Sequence, residues 1–176
     1  MLSIWYRRER PSAESVMSDR LHDLLFEHSH AMVEHLVRQL RAAPQTHYRR
    51  LTPGLLSGRT VELVGTFVES IRRDLLPFVA YVQEIVEERI LEGFSLGEIQ
   101  HALSLLEDFA WQLVIDHSPP ELQVEQLRRI SCTVGAAKDQ LARVYLRHME
   151  RAEARAAGLE RRLEQLFKGT DPPPEE

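Results

Sequence analysis

The spacing of apolar positions predicts a chain that is helical nearly throughout. From about Val16 to Arg41, Met17, Leu21, Leu24, Leu25, Met32, Leu36 and Leu40 recur three or four residues apart, the period of a helix with one buried face. The stretch AAPQTHYRR interrupts it. Thr52-Pro53 reads as a helix start: a capping hydroxyl, then a proline whose missing N–H costs nothing at the first helical position. Leu51 and Leu56 are spaced to clamp that start. The second helix is expected to end near Asp74, because Pro77 disfavours helical geometry at Leu76. A third is expected from Pro77 to about Glu92, with Phe78, Val82, Ile85, Val86 and Ile90 as its apolar positions.

The run ERILEGFSLGEIQ, Glu88 to Gln100, packs a helix end and a helix start into one corner. Gly93 is suited to a left-handed terminator. Ser95 and Glu98 have the spacing of a capping box, and Phe94 can staple to Ile99. As a turn, the corner needs no ligand. The fourth helix, Leu96 to about His117, is dense in Leu103, Leu106, Phe109, Ala110, Trp111, Val114 and Ile115 and is expected to be the most buried element. Ser118-Pro-Pro-Glu121 repeats the start grammar, and a long helix can follow to about Lys168, with Gly135 and Gly158 as tolerated breaks at roughly 1 kcal/mol each.

The end of that helix changes character. Tyr145, Met149, Ala152, Ala156, Leu159, Leu163 and Leu166 alternate at spacings of four and three among Arg and Glu, which is a coiled-coil seam. The expected partner of the seam is a second copy of the chain; the alternative is that the segment folds back onto its own domain.

Composition narrows the function classes. The chain has 176 residues, 43% hydrophobic and 28% charged, which suits one soluble domain with an appendage. The formal net charge of −5 gives no basic field for nucleic acid, and Arg7, Arg8 and Arg10 are too few to supply one. Cys132 is the only cysteine. It excludes an internal disulfide and a cysteine-based zinc site, in keeping with a reducing cytoplasm, the expected location. No stretch approaches the roughly 20 apolar residues of a membrane-spanning helix. The start, MLSIWYRRER, lacks the apolar core of a signal peptide and is expected to be a helical arm rather than a membrane-surface anchor.

Candidate chemistry is sparse. His28, His30 and His35 in EHSHAMVEH have the wrong spacings for one ligand set: residues two apart on a helix diverge, and residues seven apart are two turns apart. Buried or half-buried histidines are the expected reading, with no metal site. There is no HExxH and no Gly-x-Ser-x-Gly. No glycine loop of the kind that cradles phosphate occurs either. Cys132 is expected to pack in the core, and Glu87–Glu88 and Glu107–Asp108 to be solvated faces or end-of-helix charges. No catalytic residue is assigned, and an enzyme is the last reading.

The segments LLFEHSHAMVEHLVRQL, YRRLTPGLL and FVAYVQEIVEERILEGFSLGEIQHALSLLEDFAWQL, followed by a long exit helix, together resemble the non-haem globin sensor domain of stressosome RsbR-type proteins and of some bacterial sensor kinases. The resemblance covers roughly Asp19 to Arg147. It implies an all-α, globin-like helical bundle with a long C-terminal exit helix, working as a dimer that passes a signal to an output domain. The expected organisation is an arm over 1–15, a sensory domain over 16–147, a dimerising coiled coil over 148–168 and a tail or linker over 169–176. Nothing after Lys168 is long enough for an output domain, so the chain is expected to be a stand-alone relative or a sensory piece of a longer protein. Haem-binding relatives have a ligand histidine one turn before the equivalent of Gly93, where this chain has Arg89, which has no lone pair for iron. No cofactor is therefore expected. His28 and His35 are the residual haem candidates, and His101 belongs to a polar face. The leading expectation is a non-enzymatic sensory or regulatory module; a haem-based gas or redox sensor and a helical adaptor docking a partner are the alternatives.

Overall fold

The computed structural model describes residues 13–168 except Gln45 and Arg73, and gives only the backbone at 13–16, 166 and 168. The arm over 1–12, the tail over 169–176 and the side chain of Leu166 lie outside the described residues. The described residues form α1 (Ala13–Glu27), α2 (Ser29–Ala42), α3 (His47–Arg50), α4 (Pro53–Arg72), α5 (Leu76–Leu91), α6 (Leu96–His117) and α7 (Pro120–Lys168). The architecture is all helical.

The first expected helix is in fact two. His28 departs from helical geometry, with φ −98° and ψ 7°. Its Nδ1 lies 2.9 Å from the carbonyl oxygen of Leu24, and its ring sits 4.7 Å from that of His117 on α6. The side chain thus competes for a carbonyl of its own helix and is held there by a neighbour. The interruption before Thr52 also holds an unexpected element, the single turn α3. The start of α4 is as expected, with the Leu55 N–H donating to the Thr52 hydroxyl.

The burial expectation for α6 needs correction. α6 buries seven of its 22 residues, whereas α4 buries eight of 20 and lies deeper. Trp111 and Ile115, expected inside, are 38% and 53% exposed. They stand on the far side of a helix whose main buried stripe is Ile99, Leu103, Leu106, Ala110 and Val114. Cys132 is exposed rather than in the core. Glu107 is not a solvated charge: it accepts from Lys138 Nζ at 2.7 Å and ties α6 to α7.

The core gathers Leu21 and Leu25 from α1, Met32 and Leu36 from α2, Phe67 from α4, Phe78 from α5 and Leu106 from α6. α7 closes it against α5 and α6 with Ile130, Val134, Ala137, Leu141 and Val144, spaced at the helical period. Beyond Val144 no residue of α7 with a described side chain is buried. The helix continues for about 36 Å, at 1.5 Å per residue, and its first turns there line a surface cavity with Glu87 and Leu91 of α5.

Candidate functional site

The corner between α5 and α6 positions everything around it. The Phe94 N–H donates to the Arg89 carbonyl at 2.9 Å and the Gly93 N–H to that of Ile90 at 3.0 Å, the paired bonds of a Schellman ending, with Gly93 at φ +91°. Ser95 and Glu98 form the expected capping box at the start of α6. Glu98 also reaches beyond the corner. Its carboxylate accepts from the His47 N–H at 2.5 Å and stands 3.1 Å from His47 Nδ1, so the same group that caps α6 holds the first turn of α3. Desolvation pushes this carboxyl up, but hydrogen bonds from Ser95 and His47 outweigh it and bring it to about 2.

That tether places Tyr48. Its ring meets Phe94 edge-on at 4.8 Å, and with Arg59 and Thr60 of α4 and Tyr81 and Arg89 of α5 it lines a cavity of about 30 Å³. Both arginines are withdrawn from water, with side chains 12% and 6% exposed. Arg59 donates through both terminal nitrogens to Glu92, at 2.9 and 2.5 Å, the bidentate fork that suits a guanidinium. Arg89 Nη1 lies 3.1 Å from Glu88 and 3.4 Å from Glu92. Hydrogen bonding from Arg59 draws the Glu92 carboxyl down. Burial pushes both Tyr48 and Tyr81 up to about 12, so both phenols stay protonated at neutral pH.

Tyr48, Arg59 and Tyr81 were not picked out by sequence reasoning, since they come from three elements with no shared spacing. Arg89 did carry a signal: it falls in register with Phe78, Val82 and Val86, and all four are buried. His28 and His35 do not reach this cavity. Both are half-buried and face α6, His28 against His117 and His35 with its ring 4.5 Å from Phe109. Desolvation and the neighbouring Arg38 lower the pKa of His35. His101 is exposed. Among the described residues no three His, Cys, Asp or Glu side chains are grouped to hold a metal, and no helix is long and apolar enough to cross a membrane.

The seam residues from Met149 to Leu163 are exposed. Tyr145 is half-buried, while Met149, Ala152, Ala156, Leu159 and Leu163 are exposed along one side of α7, Leu159 at 60% and Leu163 at 53%.

Residues 27–163 match the family model of the RsbT co-antagonist protein rsbRD N-terminal domain. The chain belongs to this family. No curated protein matches it in sequence. Among solved structures, this rsbRD-type domain is similar to the globin domain of E. coli DosC in a ferrous form, with a TM-score of 0.61, 10% identity, and coverage of 73% of this chain and 89% of that one. At that identity the likeness establishes the fold: a globin-like bundle with a long C-terminal helix.

A globin-like fold raises haem as a test of fit. The cavity of about 30 Å³ is roughly a tenth of the smallest usual ligand pocket. Arg89 offers donors and no lone pair, and neither His28 nor His35 lines the space. The residues of this rsbRD-type domain do not fit a haem.

Proposed function

We propose that this rsbRD N-terminal domain is a non-enzymatic sensory module that dimerises through the exposed seam of α7 and transmits a signal along that helix to an output protein. The observation that carries the reading is the uncovered heptad stripe beyond Val144. A single helix that keeps Met149, Leu159 and Leu163 in water gains by burying them against a second copy, at roughly 1.5–3 kcal/mol per leucine.

The charges beside the seam favour one orientation. With Met149 and Ala156 at a and Ala152 and Leu159 at d, Glu153 and Glu160 fall at e and Arg155 and Arg162 at g. In a parallel dimer g faces the e of the next heptad in the partner, which sets Arg155 against Glu160. An antiparallel dimer would set arginine near arginine and glutamate near glutamate.

The route from domain to seam is physical. Gln140 of α7 donates to Gln83 of α5 at 2.8 Å, so a shift of α5 is felt by the helix that carries the seam. The family's description as a co-antagonist of RsbT supports a protein, rather than a small molecule or nucleic acid, as the recipient of the signal.

Light scattering on the purified protein and on Leu159→Glu/Leu163→Glu tests the reading. The wild type is expected to be a dimer at micromolar concentration and the double variant a monomer with unchanged helix content, its association weakened by at least about 100-fold. A monomeric wild type removes the proposed route.

A further inference from the structure

The break between α1 and α2 brings together two histidines far apart in sequence, His28 and, in the last turn of α6, His117. Their ring centroids are 4.7 Å apart, with the ring planes tilted by 60°. Both rings are anchored in the same way. His28 Nδ1 lies 2.9 Å from the Leu24 carbonyl oxygen, and His117 Nδ1 lies 3.2 Å from that of Leu113, each one turn back along its own chain. A carbonyl oxygen only accepts, so each Nδ1 carries the proton and donates it. In the neutral imidazole the lone pair is then on Nε2. Neither Nε2 has a partner among the described residues, whereas His22, His30 and His47 face carboxylates. A backbone carbonyl on one ring nitrogen is the support a metal-ligating histidine ordinarily has, since it fixes tautomer and ring orientation. Two imidazoles on one ion, with metal–nitrogen bonds of about 2.0–2.1 Å and ligand angles between square and tetrahedral, place their centroids roughly 5 Å apart. The observed separation fits.

We infer that His28 and His117 form a two-imidazole site for one divalent transition-metal ion of the kind that takes nitrogen ligands, such as zinc, copper or nickel. No third histidine, cysteine or carboxylate is grouped with them among the described residues, so water completes the coordination. Binding is therefore weaker than at a structural zinc site with four protein ligands, and it leaves positions open. His28 is half-buried and His117 exposed, which lets the ion enter from solvent. Sequence spacing excludes a shared ion for His28, His30 and His35; the second ligand comes instead from α6. An ion held there pins the α1–α2 break to the end of α6, just before the corner that starts α7. Any effect on the seam of α7 rests on the sensory reading above; the site itself does not.

The test is a zinc chloride titration of the whole protein, free of any affinity tag and stripped of metal, followed by imidazole ¹⁵N NMR. The Nε2 signals of His28 and His117 are expected to move together and to saturate at one ion per chain, with both Nδ1 atoms still protonated. His117→Gln, at an exposed position, is expected to keep its helix content and to bind zinc at least about tenfold more weakly, so that His28 no longer responds where wild type is saturated. His28→Gln, read on His117, gives the same loss and serves if the first variant does not fold. An unchanged response of the remaining histidine in a folded variant overturns the site. So do wild-type signals that move no further than that of exposed His101. The Leu159→Glu/Leu163→Glu variant separates this site from the dimer: a response kept in the monomer supports a site within one chain, and a response lost there overturns it.

Discussion

Glu98 acts at the scale of a residue and controls more structure than its position suggests. One carboxylate completes the capping box of α6 and captures the first N–H of α3, and α3 is what presents Tyr48 to the cavity. Because its folded-state pKa of about 2 lies below the ordinary 4.5, its contribution to stability is fully present above about pH 4.5 and is lost as pH falls through 2. Glu98→Gln is expected to cost about 1–2 kcal/mol at neutral pH, the worth of a cap plus a stranded N–H. Thermal melts should show a shallower loss of stability between pH 4.5 and 2 in the variant than in wild type. A parallel pair of pH profiles would mean that the carboxylate's charge does not hold α3. Gly93 is the neighbouring case. At φ +91° a side chain is strained, and a Cβ there would also sit 3.4 Å from His47 Nε2. Gly93→Ala is expected to destabilise by about 1–2 kcal/mol, read as a lower melting temperature.

At the scale of elements, α7 invites the opposite substitution. Gly135 lies inside it, and a Cβ there would meet nothing within 4 Å. Gly135→Ala is expected to stabilise the domain by up to about 1 kcal/mol, read as a higher denaturant midpoint at unchanged slope. A lower midpoint would show that the helix needs flexibility where it turns from core to exit. The starts of α4 and α6 and the end of α5 were legible in the sequence, because proline, capping hydroxyls and Gly93 act through their immediate neighbours; α7 does begin at a proline, Pro120, but Ser118, expected as its cap, instead closes α6. The break at His28 was not legible, since its cause includes the ring of His117, far away in sequence on α6. Nor was α3, a single turn held by a carboxylate 51 residues away. The burial of α6 was misjudged for a related reason: apolar density says how much a helix can bury, while its neighbours decide which side it does bury. Of the cavity only Arg89 was singled out, as the residue at the haem-ligand position of relatives; its register with Phe78, Val82 and Val86 is a further signal the sequence carried. The rest of the lining converges only once α2 to α6 are packed.

The whole molecule divides at Val144 into a domain with its core satisfied and a helix with its seam exposed, and that division makes orientation testable. Within their own chain Glu153, Arg155 and Glu160 form no ion pair among the described residues, so their charges are available to a partner. In the proposed parallel dimer, Arg155→Glu sets glutamate against Glu160 twice over, and Glu160→Arg sets arginine against Arg155 twice over. Each single variant is expected to dissociate about tenfold more readily than wild type, a cost of about 1.4 kcal/mol for two exposed repulsive contacts. Mixing the two variants restores both contacts at once. The glutamate introduced at position 155 of one chain then faces the arginine introduced at position 160 of the other, and the second contact keeps the wild-type Arg155 and Glu160. The mixture should form heterodimers with near wild-type affinity, resolved by native mass spectrometry. In an antiparallel dimer these positions do not face each other, and mixing would give the statistical proportion of homodimers and heterodimers.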